Sequence, residues 1–142
     1  MKKMSRTTSL MVLATAIAMT LTATSLSAAD RVRVGQWEII ATGSGTTRTH
    51  KACVGAAEAG AANGDAKASR AFVEKMLPAS CKFTDYKVEG NSISSTMACG
   101  GTTVHSVTRY HGDAYDSESK TTVGGGQEAV SHVNAKRLGD CP

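Results

Sequence analysis

The sequence has few of the residues that build a large hydrophobic core. Its 142 residues include one Trp, two Phe and three Tyr, so that aromatic residues make up only 4% of the chain. A domain of this size is only marginally stabilised by the burial of apolar surface. We therefore expect covalent cross-links to contribute to its stability.

No apolar segment is long enough to span a bilayer, which requires about 20 residues. The longest one covers residues 10–21, follows three basic residues and leads to the small residues Ser27-Ala28-Ala29. This pattern is typical of a secretory signal peptide, the alternative being an uncleaved membrane anchor. We expect residues 1–29 to be removed, which leaves residues 30–142 as a single exported, periplasmic domain.

The charge of the chain gives no indication of a nucleic-acid partner. The formal net charge is +4, but the signal peptide holds three of the cationic residues, Lys2, Lys3 and Arg6. Residues 30–142 keep 13 Lys and Arg against 12 Asp and Glu, so the exported part is nearly neutral. We expect no binding to nucleic acid and no stable membrane insertion after the signal peptide is cleaved.

All four cysteines, Cys53, Cys81, Cys99 and Cys141, lie in the exported part, and none forms a CxxC motif. The spacing does not suit a zinc or redox site, whereas an even number in an exported chain predicts two disulfides. We favour Cys81–Cys99, because the residues between them form a predicted hairpin, and this leaves Cys53–Cys141. The alternative pairs Cys53 with Cys81 and Cys99 with Cys141.

Glycine-rich turns divide the exported part into about seven predicted strands, beginning with an alternating segment that contains Trp37. The absence of a βαβ rhythm predicts a mainly β fold, an antiparallel meander arranged as a sandwich or barrel. One helix is expected after the second strand, capped by Asp65 and ending near Leu77. Its apolar face, which is expected to cover a core, consists of Phe72, Val73, Met76 and Leu77. The preceding residues 55–64 are expected to be loop or frayed helix.

The predicted hairpin between Cys81 and Cys99 contains a conflict of register. A two-residue Gly90-Asn91 loop pairs Val88 with Ile93, but it places the two cysteines on opposite faces of the sheet. A three-residue loop pairs the cysteines. The disulfide and the longer loop are therefore expected together, unless a β-bulge intervenes.

Several short segments resemble one protein family. They are Gly35-Gln36-Trp37-Glu38, residues 81–88 with Gly90-Asn91, residues 110–113, and Lys136-Arg137-Leu138-Gly139-Asp140-Cys141. With the four cysteines, they make the chain similar to small exported proteobacterial proteins grouped as domain of unknown function 3617. The resemblance implies a periplasmic location and a single domain with these cysteines. It implies no activity and no site residues.

Motifs for catalysis or metal binding are lacking. The chain has no G-x-S-x-G nucleophile elbow and no phosphate loop, and its histidines have neither HxH nor HExxH spacing: His50, His105, His111 and His132. We therefore expect no catalytic residue, no metal and no cofactor. Trp37, the only Trp, is expected in the core, and the alternative is a position at the rim of a ligand-binding site.

Three functions are consistent with these patterns. The first is a non-enzymatic binding or interaction module of the cell envelope, because the small residues Ser117, Ser119 and Thr121 face one side of a strand and would suit a cavity. The alternatives are an envelope-associated hydrolase and a structural or stress protein. An open apolar cavity above about 300 Å³ favours the first function, convergent titratable side chains favour the second, and a solid core favours the third.

Overall fold

The computed structural model describes residues 30–142, so the predicted signal peptide lies outside the described residues. Seven strands and two helices follow one another along this part of the chain. They are β1 (Gly35–Gly43), β2 (Thr46–Val54), α1 (Ala56–Asn63), α2 (Ala66–Glu74), β3 (Cys81–Glu89), β4 (Ser92–Cys99), β5 (Thr102–Tyr110), β6 (Ala114–Val123) and β7 (Gln127–Gly139).

The strands form one antiparallel sheet in the order β2-β1-β7-β6-β5-β4-β3. The meander from β3 to β7 is extended by the β1–β2 hairpin, because β1 pairs with β7. The mainly β fold with seven antiparallel strands is thereby confirmed. The sheet is open rather than a barrel or a sandwich, because its edge strands β2 and β3 do not pair and one face is covered by helices instead of a second sheet. We call the helix-covered face the inner face.

A buried arginine just before β1 connects the end of α1 with the β3–β4 turn. Arg31, just before β1, is 3% exposed. Its guanidinium donates to the carbonyl oxygens of Ala62 at 2.7 Å, Gly64 at 2.5 Å and Gly90 at 2.8 Å. The first two carbonyls belong to the end of α1, where the helix dipole favours a cation. Gly90 lies in the β3–β4 turn, so the sheet must curl around the helices for one side chain to reach it.

Residues 55–64, expected as loop or frayed helix, contain the additional helix α1. Ala is the strongest helix former, and the Glu58 carboxylate accepts a hydrogen bond from the Gly55 N–H at 3.0 Å. At the other end of α1, the Asn63 side chain bonds to both the N–H and the C=O of Val32. Local propensity and these two contacts together explain why a low-complexity stretch is helical.

The predicted helix is present as α2 but is shorter than expected. Its start is as predicted, because the Asp65 carboxylate accepts a hydrogen bond from the Ala68 N–H at 2.8 Å. It ends at Glu74 rather than near Leu77. The residue before a proline is disfavoured in helical conformation, and Leu77 precedes Pro78.

The β3–β4 hairpin resolves the conflict of register with a bulge. Val88 lies opposite Ile93 across the two-residue Gly90-Asn91 turn, and Cys81 also lies opposite Cys99. Both pairings are possible because the register shifts between Phe83 and Asp85. The extra residue in this strand restores the alternation of the side chains that precede it. The longer loop expected with the disulfide is therefore absent.

The disulfides and a small core hold this sheet together. Cys81 is joined to Cys99, and Cys53 on the edge strand β2 is joined to Cys141 just after β7, which is the pairing favoured from the sequence. The buried hydrophobic residues are few among those described: Val32, Trp37, Ala59 and Ala135. The core is centred on Trp37, which is 0% exposed.

Candidate functional site

A cavity of about 460 Å³ lies between the two helices and the inner face of the sheet. Its roof comes from α1 and α2, and its floor comes from strands β3 to β6. Most of its lining is apolar or small, and the side chains that carry the argument below are Glu58, Ser69, Phe72, Val73, Phe83, Tyr86, Ile93, Ser95, Tyr110 and Tyr115.

A second cavity of about 390 Å³ adjoins the first one. It extends toward Val32, Val54 and Val133, on the side of the core. The two cavities share five lining residues: Glu58, Ala62, Thr108, Tyr110 and Tyr115. They therefore lie side by side beneath α1, and we call the two cavities together the inner groove.

The apolar end of the inner groove lies beneath α2. Phe72 and Val73 on this helix, and Met76 just after it, line the cavity together with Phe83 and Ile93 on the sheet. The sequence predicted that the helical residues cover a core. They line an open space instead, and Met76 remains 62% exposed. The reason is that three floor residues, Ser95, Ser106 and Thr108, have small side chains, which leave part of the space unfilled.

Three pairs of hydrogen-bonded hydroxyl groups lie along the inner groove, one between α2 and β3 and two on the floor between β5 and β6. The Ser69 and Tyr86 hydroxyls are 2.6 Å apart, those of Ser106 and Ser119 are 2.7 Å apart, and those of Thr108 and Ser117 are 2.9 Å apart. In each pair one hydroxyl donates to the other, so a second hydrogen is left for another acceptor. The floor can therefore offer hydrogen bonds to a bound molecule without carrying a charge.

The inward side predicted for β6 agrees with this arrangement. Ser117 lines the second cavity, and Ser119 bonds to a residue that lines the first one. Thr121 lies opposite Val104 on the same face, but neither cavity reaches it.

Two tyrosines lie at the centre of the inner groove, where the cavities meet. Tyr110 and Tyr115 are opposite each other on β5 and β6, with ring centroids 5.6 Å apart. Burial raises the pKa of Tyr110 to about 12 and also raises the pKa of Tyr115. Both phenols therefore stay protonated at neutral pH, and each can donate a hydrogen bond.

Glu58 is the single charged side chain that lines the inner groove within residues 30–142, and it lines both cavities. It lies in the first turn of α1 and is exposed to solvent. The described lining includes no Lys, Arg or His. The electrostatic character of the groove is therefore set by one carboxylate at its mouth.

Trp37 lies behind the groove rather than at its rim. The indole is fully buried, its Nε1–H donates to the Arg33 carbonyl at 3.0 Å, and its ring centroid is 5.6 Å from that of Tyr115. It is not among the residues that line either cavity. Trp37 therefore supports Tyr115 from the core, and the ligand-contacting role considered from the sequence has no geometric basis here.

The described residues contain no cluster of three or more His, Cys, Asp and Glu that could hold a metal ion. Over the same residues, no helix is both long enough and apolar enough to cross a membrane. His111 contacts Asp116 at 2.6 Å, and His105 contacts Thr96 at 3.1 Å, both as exposed polar contacts. None of the four histidines lines the inner groove.

Sequence reasoning did not identify Arg31, Glu58, Tyr110 or Tyr115 as residues of a site. The alternation of side chains that places Ser117 and Ser119 on one side of β6 also places Tyr115 there, and the same signal applied to β5 identifies Tyr110. Arg31 gives no signal in the sequence, because its partners are backbone carbonyls that come from distant parts of the chain.

Comparisons with curated proteins and with solved structures found no match. A family model described as "Protein of unknown function (DUF3617)" matches residues 32–141. The matched region contains all four cysteines and every residue that lines the inner groove. On this match, the chain belongs to the DUF3617 family.

Proposed function

We propose that this protein is a non-enzymatic binding module of the cell envelope that holds a small, largely apolar molecule in the inner groove. The observation that carries the proposal is the cavity of about 460 Å³ between the helices and the sheet. Sites for small molecules typically enclose about 300–1,000 Å³, with a mostly apolar lining and a few placed polar groups. The inner groove has both properties.

The incomplete burial of apolar side chains supports a ligand rather than a purely structural role. Phe72, Phe83 and Ile93 line the groove and remain partly exposed. Covering apolar surface contributes about 25 cal/mol per Å², so a molecule that fills this space would gain the stabilisation that the fold leaves unused. A structural protein would be expected to fill such a space with its own side chains.

The titratable groups of the groove favour binding over hydrolysis. Glu58 is the only carboxylate among the described lining residues, and the others that titrate are the phenols of Tyr86, Tyr110 and Tyr115. The raised pKa of Tyr110 and that of Tyr115 make both phenols poor bases near neutral pH. A hydrolase would need a placed base or nucleophile next to a second catalytic group.

A periplasmic location is part of this proposal. Two disulfides with no free cysteine among the described residues suit an oxidising compartment. The signal peptide expected over residues 1–29 would deliver the chain to that compartment.

The proposal is tested with two matched substitutions on β4. Ser95 lines the groove, and its neighbour Ser94 points to the opposite face of the sheet. Oxidised protein, purified after export, is titrated with the neutral fluorophore N-phenylnaphthylamine, whose emission rises in apolar surroundings. We expect saturable binding that Ser95→Phe reduces at least tenfold, because the new ring fills the cavity, whereas Ser94→Phe leaves binding unchanged.

Circular dichroism spectra and thermal unfolding of both variants check that they are folded. Loss of binding in both variants to the same extent, or unchanged binding in Ser95→Phe, would refute the inner groove as the binding site. The absence of saturable binding in the unmodified protein would refute the proposed function itself.

A further inference from the structure

The single charge of the inner groove indicates which class of molecule it accepts. Resting on the proposed function, we infer that the ligand is a cationic amphiphile, with an ammonium-type head group at Glu58 and an apolar chain along the groove. Glu58 is the one charged residue among those described that line both cavities. The apolar chain of a ligand whose head group lies beside Glu58 can therefore extend into either cavity.

The Glu58 carboxylate is available to a ligand. Its Oε2 accepts a hydrogen bond from the Gly55 N–H at 3.0 Å. The other carboxylate oxygen and the negative charge of the group remain available to a ligand. Among the ion pairs of residues 30–142, none involves Glu58. A carboxylate at the mouth of an apolar groove, with no cation of its own, favours a ligand that supplies one.

The aromatic rings at the same point of the groove favour a cation as well. Tyr110 and Tyr115 line both cavities together with Glu58. The face of an aromatic ring attracts ammonium groups, by about 0.5–2 kcal/mol depending on solvent exposure. Both phenols are neutral near pH 7, as an ordinary phenol is, and burial raises the pKa of each further from that pH, so neither adds a second negative charge beside Glu58.

An anionic head group has no equivalent partner in the inner groove. The buried guanidinium of Arg31 lines neither cavity, and its donors are directed to the carbonyls of Ala62, Gly64 and Gly90. An anion in the groove would therefore lose its hydration and approach the Glu58 carboxylate, and both effects are unfavourable. A neutral head group could accept a hydrogen bond from a hydroxyl of the groove, but it would gain no attraction to the Glu58 carboxylate.

The experiment compares three competitors that share one chain length: decyltrimethylammonium, decanol and decyl sulfate. Each displaces N-phenylnaphthylamine from the oxidised protein, at concentrations below those at which micelles form. We expect the ammonium compound to bind most tightly and the sulfate most weakly. We also expect added salt to weaken the binding of decyltrimethylammonium and to leave the binding of decanol unchanged, because salt screens an exposed ion pair.

Glu58→Gln isolates the charge, because the amide oxygen can still accept the Gly55 N–H. We expect this variant to bind decyltrimethylammonium about threefold to fivefold more weakly, as for a solvent-exposed ion pair, and to bind decanol as before. Glu74→Gln is the matched control: Glu74 is also an exposed helical carboxylate, it pairs with Arg70, and it does not line the groove.

The outcomes separate this inference from the function on which it rests. Equal displacement by the three competitors, or an ammonium affinity that is the same in Glu58→Gln as in the unmodified protein, would overturn the inference while N-phenylnaphthylamine binding still supports the function. If N-phenylnaphthylamine itself does not bind, both are refuted.

Discussion

The two disulfides close loops of very different length, and this difference predicts which one contributes more to stability. Cys53 and Cys141 are separated by 88 positions, and Cys81 and Cys99 by 18. Restricting the unfolded chain over these loops corresponds to about 4.6 and about 3.2 kcal/mol. Replacing Cys53 and Cys141 by Ser should therefore lower the free energy of unfolding by about 1.4 kcal/mol more than replacing the other pair.

The folded structure supports the same order. Cys81 and Cys99 join strands that already pair through a two-residue turn, so these strands stay close together even without the disulfide. Cys53 lies on the edge strand β2, and its disulfide fastens that edge to the residues after β7. The Cys53–Cys141 disulfide therefore adds a connection beyond the neighbouring strand β1, whereas the Cys81–Cys99 disulfide repeats a pairing that β3 and β4 already make.

Urea unfolding of the unmodified protein and the two double-Ser variants measures this difference. Trp37 is a suitable probe, because it is the only Trp and is fully buried. Removing a cross-link also changes how much surface unfolding exposes, so free energies extrapolated to water must be compared rather than midpoints. If the Cys81/Cys99 variant is the less stable of the two, the explanation from loop length is wrong for this protein.

Two further predictions concern buried polar groups. Burial raises the pKa of Tyr110 from 10.0 to about 12. The contribution of this residue to the free energy of unfolding is therefore fully present below pH 10 and is lost as the pH rises toward 12, by about 1.4 kcal/mol per pH unit. Urea unfolding of Tyr110→Phe should show a smaller decline of stability over this pH range, and an unchanged decline would contradict the shift. Arg31→Lys should lower the free energy of unfolding by about 2 kcal/mol or more, because one ammonium group cannot reach three separated carbonyls. Arg33 forms an exposed ion pair with Asp113, so Arg33→Lys should change the free energy of unfolding by no more than about 0.5 kcal/mol. Equal losses in the two variants would contradict the role of Arg31.

The strands were predictable because their signals are local. Turns with Gly and the alternation of side chains depend on neighbouring residues, and the structure has seven strands as these patterns predicted. The β3–β4 hairpin shows the limit of such reasoning. Each of the pairings Val88–Ile93 and Cys81–Cys99 was sound by itself, and only a bulge next to Thr84 makes them compatible.

The closure of the sheet and the inner groove were not predictable, because they depend on contacts between distant residues. Whether seven strands form a barrel, a sandwich or an open sheet is decided by what covers their faces. Here part of that cover is α1, which forms from residues whose sequence predicts a loop or frayed helix. Arg31 bonds to Ala62, which is 31 positions further along the chain, and to Gly90, which is 59 positions further along. No periodicity in the sequence records such a contact.

The scarcity of large side chains explains both the small core and the inner groove. On the inner face, Ser95, Ser106 and Ser117 occupy positions where a packed domain would have Leu, Ile or Phe. The helices consequently remain above a space that the sheet does not fill. A protein that keeps this space forgoes the burial that would otherwise stabilise it, and two disulfides and the carbonyl contacts of Arg31 compensate. The composition that first indicated marginal stability is therefore also the composition that leaves the inner groove open.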